Sequence, residues 1–191
     1  MSLVNTIKNG DFKLEIHHDF NPENPRNWDN LTKMIFFGKH KVIGDSHDYD
    51  LGGFNDRDDF IERGAKKLSK LMDAAIIKPV HLYSHSGECI STSFEYPFND
   101  KWDSGTIGFA VITKKDLREN YNVKKLSKQI IEKGEKNLEG EVETLNQWIS
   151  GDVYGFKLFK GDEEIDSCWG FYGDDYETNG IADHLPDEWI K

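Results

Sequence analysis

The order of its periodicities constrains this chain most: short stretches alternating apolar and polar residues follow one another, and helical periodicity is confined to a few segments. Phe12, Leu14 and Ile16 alternate with polar neighbours over residues 12–20, the period of a half-buried strand. Met34 to Phe37 is a short apolar run that predicts a second strand. Residues 80–84 and 89–94 flank Ser86-Gly87, and residues 153–159 and 165–172 bracket Lys160-Gly161-Asp162, so each pair predicts a hairpin. Thr106 to Thr113 is apolar on both faces, as a central strand requires.

Helices are expected in three places. Asn55 or Asp56 can cap a helix whose apolar positions, Phe60, Ile61, Gly64, Leu68, Leu71 and Met72, recur at three- and four-residue steps. Pro79 blocks its continuation, and residues 114–121 predict a second, short helix. From Leu126, the residues Ile130, Leu138, Val142, Leu145 and Ile149 keep a helical period to Gly151. Gly134 and Gly140, each costing about 1 kcal/mol relative to alanine, predict a bend or break there. Asn21 to Asn30 and Gly44 to Asn55 read as loops, the first for its prolines and asparagines, the second for its aspartates and glycines. Because strands mostly follow strands, the order predicts a single α+β domain over residues 1–191, an antiparallel sheet with two or three helices packed on one face.

Composition decides between a folded and a disordered chain. Only 37% of residues are apolar and 31% are charged, but 5 Trp, 7 Tyr and 12 Phe supply an aromatic core that disordered chains lack. No apolar run approaches the roughly 18–20 residues that span a bilayer. Met1 to Gly10 lacks the features of a signal peptide. The missing span argues for no membrane partner, and two cysteines, Cys89 and Cys168, far apart without metal-type spacing, fit a reducing cytoplasm.

The net charge of −11 is unevenly laid out. Residues 1–138 hold 21 acidic and 21 basic side chains, whereas residues 139–191 hold 14 acidic and 3 basic. Residues 114–136, with 8 basic and 4 acidic side chains, form a stretch that could face nucleic acid. A charge run solvates a surface in the ordinary case, and it can also present an electrostatic face to a charged partner.

No Gly-rich phosphate loop, paired Cys-x-x-Cys or nucleophile elbow occurs, which moves nucleotide-fuelled enzymes, zinc ribbons and common hydrolases out of the front rank. The densest polar cluster is Asp45, Ser46, His47, Asp48, Tyr49 and Asp50. Its carboxylates and imidazole could hold a divalent cation, or it could be a solvated loop with Asx-turns. His81, Tyr83 and His85 alternate, so a strand puts them on one face, either lining a cleft or forming the wetter side of a sheet. Trp102-Asp103-Ser104-Gly105 suits a turn before the central strand. The segment from Asp166 to Asp175 joins aromatics to acids and could either contact a basic groove or pack as an ordinary turn.

Residues Asn24 to Asn30, Asp45 to Tyr49, Trp102 to Gly105, Gly140 to Gly155 and Asp166 to Gly173 resemble a family of small hypothetical proteins. That family is encoded by phages and mobile elements of Gram-positive bacteria. The likeness runs from about Asp19 to Pro186, and the string Asp166 to Gly173 is its most specific part. The family offers no catalytic residues to carry over. The resemblance implies a setting, the cytoplasm of a bacterial host, where accessory proteins of such elements counter defence, including as anti-CRISPR proteins.

Three functions follow as expectations. The first is an inhibitor that binds a host defence nuclease, a CRISPR effector among the candidates, through an acidic surface formed by Asp166, Trp169, Tyr172, Asp174, Asp175 and Glu177. The second is a metal-assisted nuclease or phosphodiesterase. There Asp45, His47 and Asp50 hold a divalent cation, and His47 and Asp103 are catalytic. The third is a virion or host-takeover protein without an active site.

Overall fold

The computed structural model describes residues 2–84, 87–93 and 103–190. In chain order its strands are β1 (Leu3–Asn9), β2 (Phe12–His18), β3 (Lys33–Phe36), β4 (Ala74–Ser84), β5 (Glu88–Thr92), β6 (Ser104–Thr113), β7 (Val153–Lys160) and β8 (Glu163–Tyr172). Among the described residues all pairings are antiparallel, and with four α-helical segments there the fold class is α+β, as expected. The single sheet is not. The strands form two sheets, ordered β1-β2-β7-β8 and β3-β6-β4-β5, so the two expected hairpins lie in different sheets. The chain divides into two compact units, Met1–Pro25 with Gln147–Lys191, and Arg26–Asn146. Sequence periodicity sets which face of a strand is buried. It does not say which distant strand lies beside it.

In the unit made from the two ends of the chain, β2 and β7 lock in register with Leu14 opposite Leu158 and Ile16 opposite Phe156. These four side chains are buried on one face, where the C-terminal segment adds Ile181 and Trp189. Burying each large aliphatic or aromatic side chain stabilises the fold by roughly 1.5–3 kcal/mol. The segment reaches that face through two 3-10 turns, Ile181–His184 and Asp187–Ile190. β1 went unread in the sequence because it is an edge strand with Leu3 and Val4 exposed and no apolar alternation.

In the central unit, β6 is an inner strand whose residues Ile107 to Ile112 are buried. Phe109 and Val111 pack with Ile35, Leu51 and Leu68. Gly108 is required here, since a Cβ at this position would lie 2.1 Å from the Ile35 carbonyl oxygen. β4 begins at Ala74, ahead of the expected Val80. Its Pro79 lies just beyond the β5 ladder, which starts at Val80, and its carbonyl accepts the Thr92 hydroxyl at 2.9 Å.

Asp56 caps the first helical turn, α1 (Arg57–Asp59), by accepting the Asp59 amide at 2.8 Å. A π-helical segment, Phe60–Gly64, then leads into α2 (Ala65–Met72). A Cβ on Gly64 would sit 3.2 Å from the rings of Phe60 and Phe109, so the glycine lets this segment lie close to the sheet. Leu68 is buried as the periodicity predicted, but Leu71 is exposed. Thr113 caps α3 (Lys114–Asn120) through the Asp116 amide. The long helix α4 (Lys128–Ser150) runs unbroken through both glycines. Gly134 is there for space rather than for a bend: its missing Cβ would lie 2.6 Å from Ile76 and 2.7 Å from Leu117.

Candidate functional site

The Asp45–Tyr49 cluster lines a cleft of about 400 Å³ together with Lys33 and Asp116. Inside it, Asp45 is committed to the fold. Arg26 Nε donates to Asp45 Oδ1 at 3.1 Å, Arg26 Nη2 donates to Oδ2 at 2.7 Å, and the Met34 amide donates to Oδ2 at 2.8 Å. His47 Nε2–H donates to the Phe36 carbonyl at 2.7 Å, and Nδ1 accepts the Tyr49 amide at 3.2 Å, so both ring nitrogens are used. Asp50 holds an exposed turn by accepting the Gly52 amide. Among the described residues no group of three His, Cys, Asp or Glu side chains is arranged to hold a metal ion. The expected cation site at Asp45, His47 and Asp50 is therefore not assembled. The reason is competition: a buried guanidinium and backbone amides take the lone pairs a metal would need.

Arg26 also explains why three of the singled-out segments belong together. Its side chain is 6% exposed, Nη1 lies 3.6 Å from Glu141 Oε2, and Nη2 donates to the Thr32 carbonyl. Glu141 in turn accepts the Leu31 and Thr32 amides at 3.0 Å each. The loop at Arg26, the loop at Asp45 and the helix at Glu141 are thus tied through one buried polar knot.

Asp103 lies elsewhere in the same unit, on a cleft of about 550 Å³ with His40, Ser84 and Ser104. It therefore does not share a cleft with His47, its expected catalytic companion. Burial holds the His40 imidazole below its ordinary value, Lys39 adds to the effect and Glu88 opposes it. Of the row at His81, Tyr83 and His85, His81 does not face water. His81 is fully buried, its Nε2–H donates to the Ser93 carbonyl at 2.9 Å, and Nδ1 lies 2.9 Å from Thr106 Oγ1. Desolvation lowers the pKa of His81, partly offset by the Ser93 bond. His85, Ser86, Phe94 and Trp102 lie outside the described residues.

The basic stretch over residues 114–136 is partly neutralised by its neighbours, Lys114 by Asp73, Lys115 by Glu119 and Lys128 by Glu132. The acidic stretch of residues 139–191 is neutralised at Glu139 by Lys78 and at Glu141 by Arg26. Asp162, Glu163, Asp174, Asp175 and Glu177 are exposed and form no ion pair among the described residues, while Glu164 meets Lys157 and Asp166 faces His184. Asp175 also builds its turn, accepting the Glu177 amide at 3.0 Å and the Thr178 hydroxyl at 2.8 Å.

The two expected aromatic contacts are turned inward. Trp169 is half-buried over Gly155, where a Cβ would fall 2.0 Å from its ring, and the Tyr172 hydroxyl donates to the Glu23 carbonyl. An aromatic residue the sequence reading passed over, Phe20, is 69% exposed. Its signal was an aromatic side chain opening the Asn- and Pro-rich stretch after β2.

Charge follows the structural division. The unit of residues 1–25 and 147–191 carries 15 acidic and 5 basic side chains, a net −10, against 20 and 19 in residues 26–146. No helix of the described residues is long and apolar enough to cross a membrane. Comparison with protein-family models, curated proteins and solved structures finds no match.

Proposed function

We propose that the chain is a binding protein whose acidic unit occupies a basic, nucleic-acid-handling surface on a protein partner, in the manner of an anti-defence inhibitor from a phage or mobile element. The supporting observation is the set of exposed carboxylates without ion pairs among the described residues, Asp162, Glu163, Asp174, Asp175 and Glu177, in a unit of net −10. A carboxylate already paired with a lysine has little field left for a partner. One facing solvent alone can stand where a phosphate stands and displace counterions from a basic groove. A host nuclease of the CRISPR effector type has such a groove, and the reading places the protein in the bacterial cytoplasm. A metal-assisted reaction draws no support from Asp45 and His47, whose acceptor atoms are spent internally.

The test reverses charge where the structure tolerates it. Asp175 is spared because it holds its turn, and Asp162, Glu163, Asp174 and Glu177 are each changed to Lys. Wild-type protein immobilised at physiological salt should capture nucleic-acid-binding proteins from a Gram-positive lysate, with added nucleic acid or higher salt releasing them. The reversed variant, with a circular dichroism spectrum like the wild type, should lose that capture. Equal capture by both proteins, or capture indifferent to nucleic acid, would sink the proposal.

A further inference from the structure

Residues His18, Asp19, Phe20, Pro22, Trp148 and their neighbours line a cleft of about 540 Å³ in the acidic unit. Each part of it is held in place by the fold. His18 ends β2 and stacks on Tyr154, with ring centroids 5.0 Å apart and planes inclined by 28°. The Asp19 amide donates to the Val153 carbonyl at 2.8 Å, which anchors the chain as it leaves the sheet. Asp19 Oδ1 accepts the Asn21 amide at 3.0 Å and fixes the start of the loop. Trp148 Nε1 donates to the Pro22 carbonyl at 3.4 Å from the other wall. Phe20 stands over this frame, its ring centroid 6.5 Å from that of His18, and more than two thirds of it faces solvent.

A large aromatic left in water beside a cleft loses the stabilisation its burial would give, unless something covers it. The chemistry of the lining says what. Aromatic faces attract cations through their negative quadrupole, and a carboxylate in the same cleft adds directional charge. None of the lining residues is Lys or Arg. The surroundings are acidic as well: Asp152 and Asp174 add to the desolvation that raises Tyr154, and Glu23 and Asp19 do the same at Tyr172. Only a cation finds both the ring faces and the field favourable.

We propose that this cleft takes a guanidinium or ammonium side chain of the partner protein, clasped by Phe20 and Trp148 and paired with Asp19. The inference rests on the acidic-surface reading and adds an anchor point to it.

The probe is a short peptide of alternating Gly and Arg, with a citrulline analogue of the same shape and no charge. Binding is followed by the indole N–H signal of Trp148 and the amide of Phe20 in nuclear magnetic resonance titrations. The Arg peptide should shift both signals and the citrulline peptide should not. Phe20→Ala should weaken binding about fivefold, the scale of an exposed cation–aromatic contact, and Phe20→Tyr should restore it. Asp19→Asn keeps the acceptor for the Asn21 amide and should weaken binding about tenfold, as the loss of a charge-assisted hydrogen bond does. If both cleft variants bind as the wild type does while the four-residue Lys variant loses binding, the cleft inference is overturned and the acidic surface stands. If the cleft variants lose binding and the Lys variant keeps it, the anchor is right and the broad surface is wrong. A wild-type protein that leaves both signals unmoved overturns the cleft whatever the lysate experiment shows.

Discussion

In the unit of residues 26–146, of 20 acids, lysine or arginine partners are found among the described residues for eight, among them Asp45 with Arg26, Asp59 with Arg63, Glu139 with Lys78 and Asp73 with Lys114. In the unit of residues 1–25 and 147–191, of 15 acids, lysine partners are found among the described residues for Glu15 and Glu164. The two units have sheets of equal strand number and differ in how often their acids are paired. Matched acids, some of them under the surface, serve the fold. Unmatched acids at the surface contribute little to folding and repel one another, which leaves them open to the basic partner proposed above.

The largest expected effect breaks this comparison at Arg26. Arg26→Met removes the guanidinium from Asp45 and Glu141 and should cost about 3–5 kcal/mol in a urea titration, because it leaves carboxylates uncompensated at sites of 19% and 16% exposure. Asp174→Asn in the other unit should change stability by no more than about 0.5 kcal/mol. Similar losses from the two would mean that the acids of the two units are not differently used.

A second contrast is steric. Gly108→Ala drives a Cβ into backbone, the Ile35 carbonyl, and should cost about 1–3 kcal/mol or more. Gly155→Ala meets the Trp169 ring, a half-buried side chain that can swing aside, so its cost should be smaller and should be accompanied by a red shift of indole fluorescence as the ring enters water. A larger loss at Gly155 would show that the Trp169 face is as fixed as the β6 core.

The smallest effect is a difference in pH response. The pKa of His81 is lowered in the folded state, so as pH falls below about 6.5 the unfolded chain takes up a proton that the folded chain refuses. Stability of the central unit should therefore decline as pH falls from neutrality through that value, and His40 acts in the same direction. In the acidic unit Lys13 lowers Glu15 and Lys157 lowers Glu164, so their contribution persists above the ordinary carboxylate value of 4.5 and is lost only on further acidification. Amide hydrogen exchange of β4 and β6 against β2 and β7 at pH 7.5, 5.5 and 4.0 reads the difference. Loss of protection in both sheets alike between pH 7.5 and 5.5 would contradict it.

Much of this was legible in the chain itself. Alternation at Phe12, Leu14 and Ile16, the two-faced apolar run at Thr106 to Thr113, the cap at Asp56 and the turn around Gly161 are local signals, and each appears where the residues place it. The charge imbalance is a matter of counting. Tertiary structure decided the rest. It paired β2 with β7 across more than a hundred residues and split the strands into two sheets. It turned Asp45 and His47 from site candidates into scaffold, left Phe20 beside an acidic cleft, and drew Trp169 inward over Gly155. Periodicity and capping act over a few residues, where neighbours in sequence are neighbours in space. The partner of a strand, a carboxylate or a ring is settled by burial and by competition for hydrogen bonds among groups that meet only once the chain has folded.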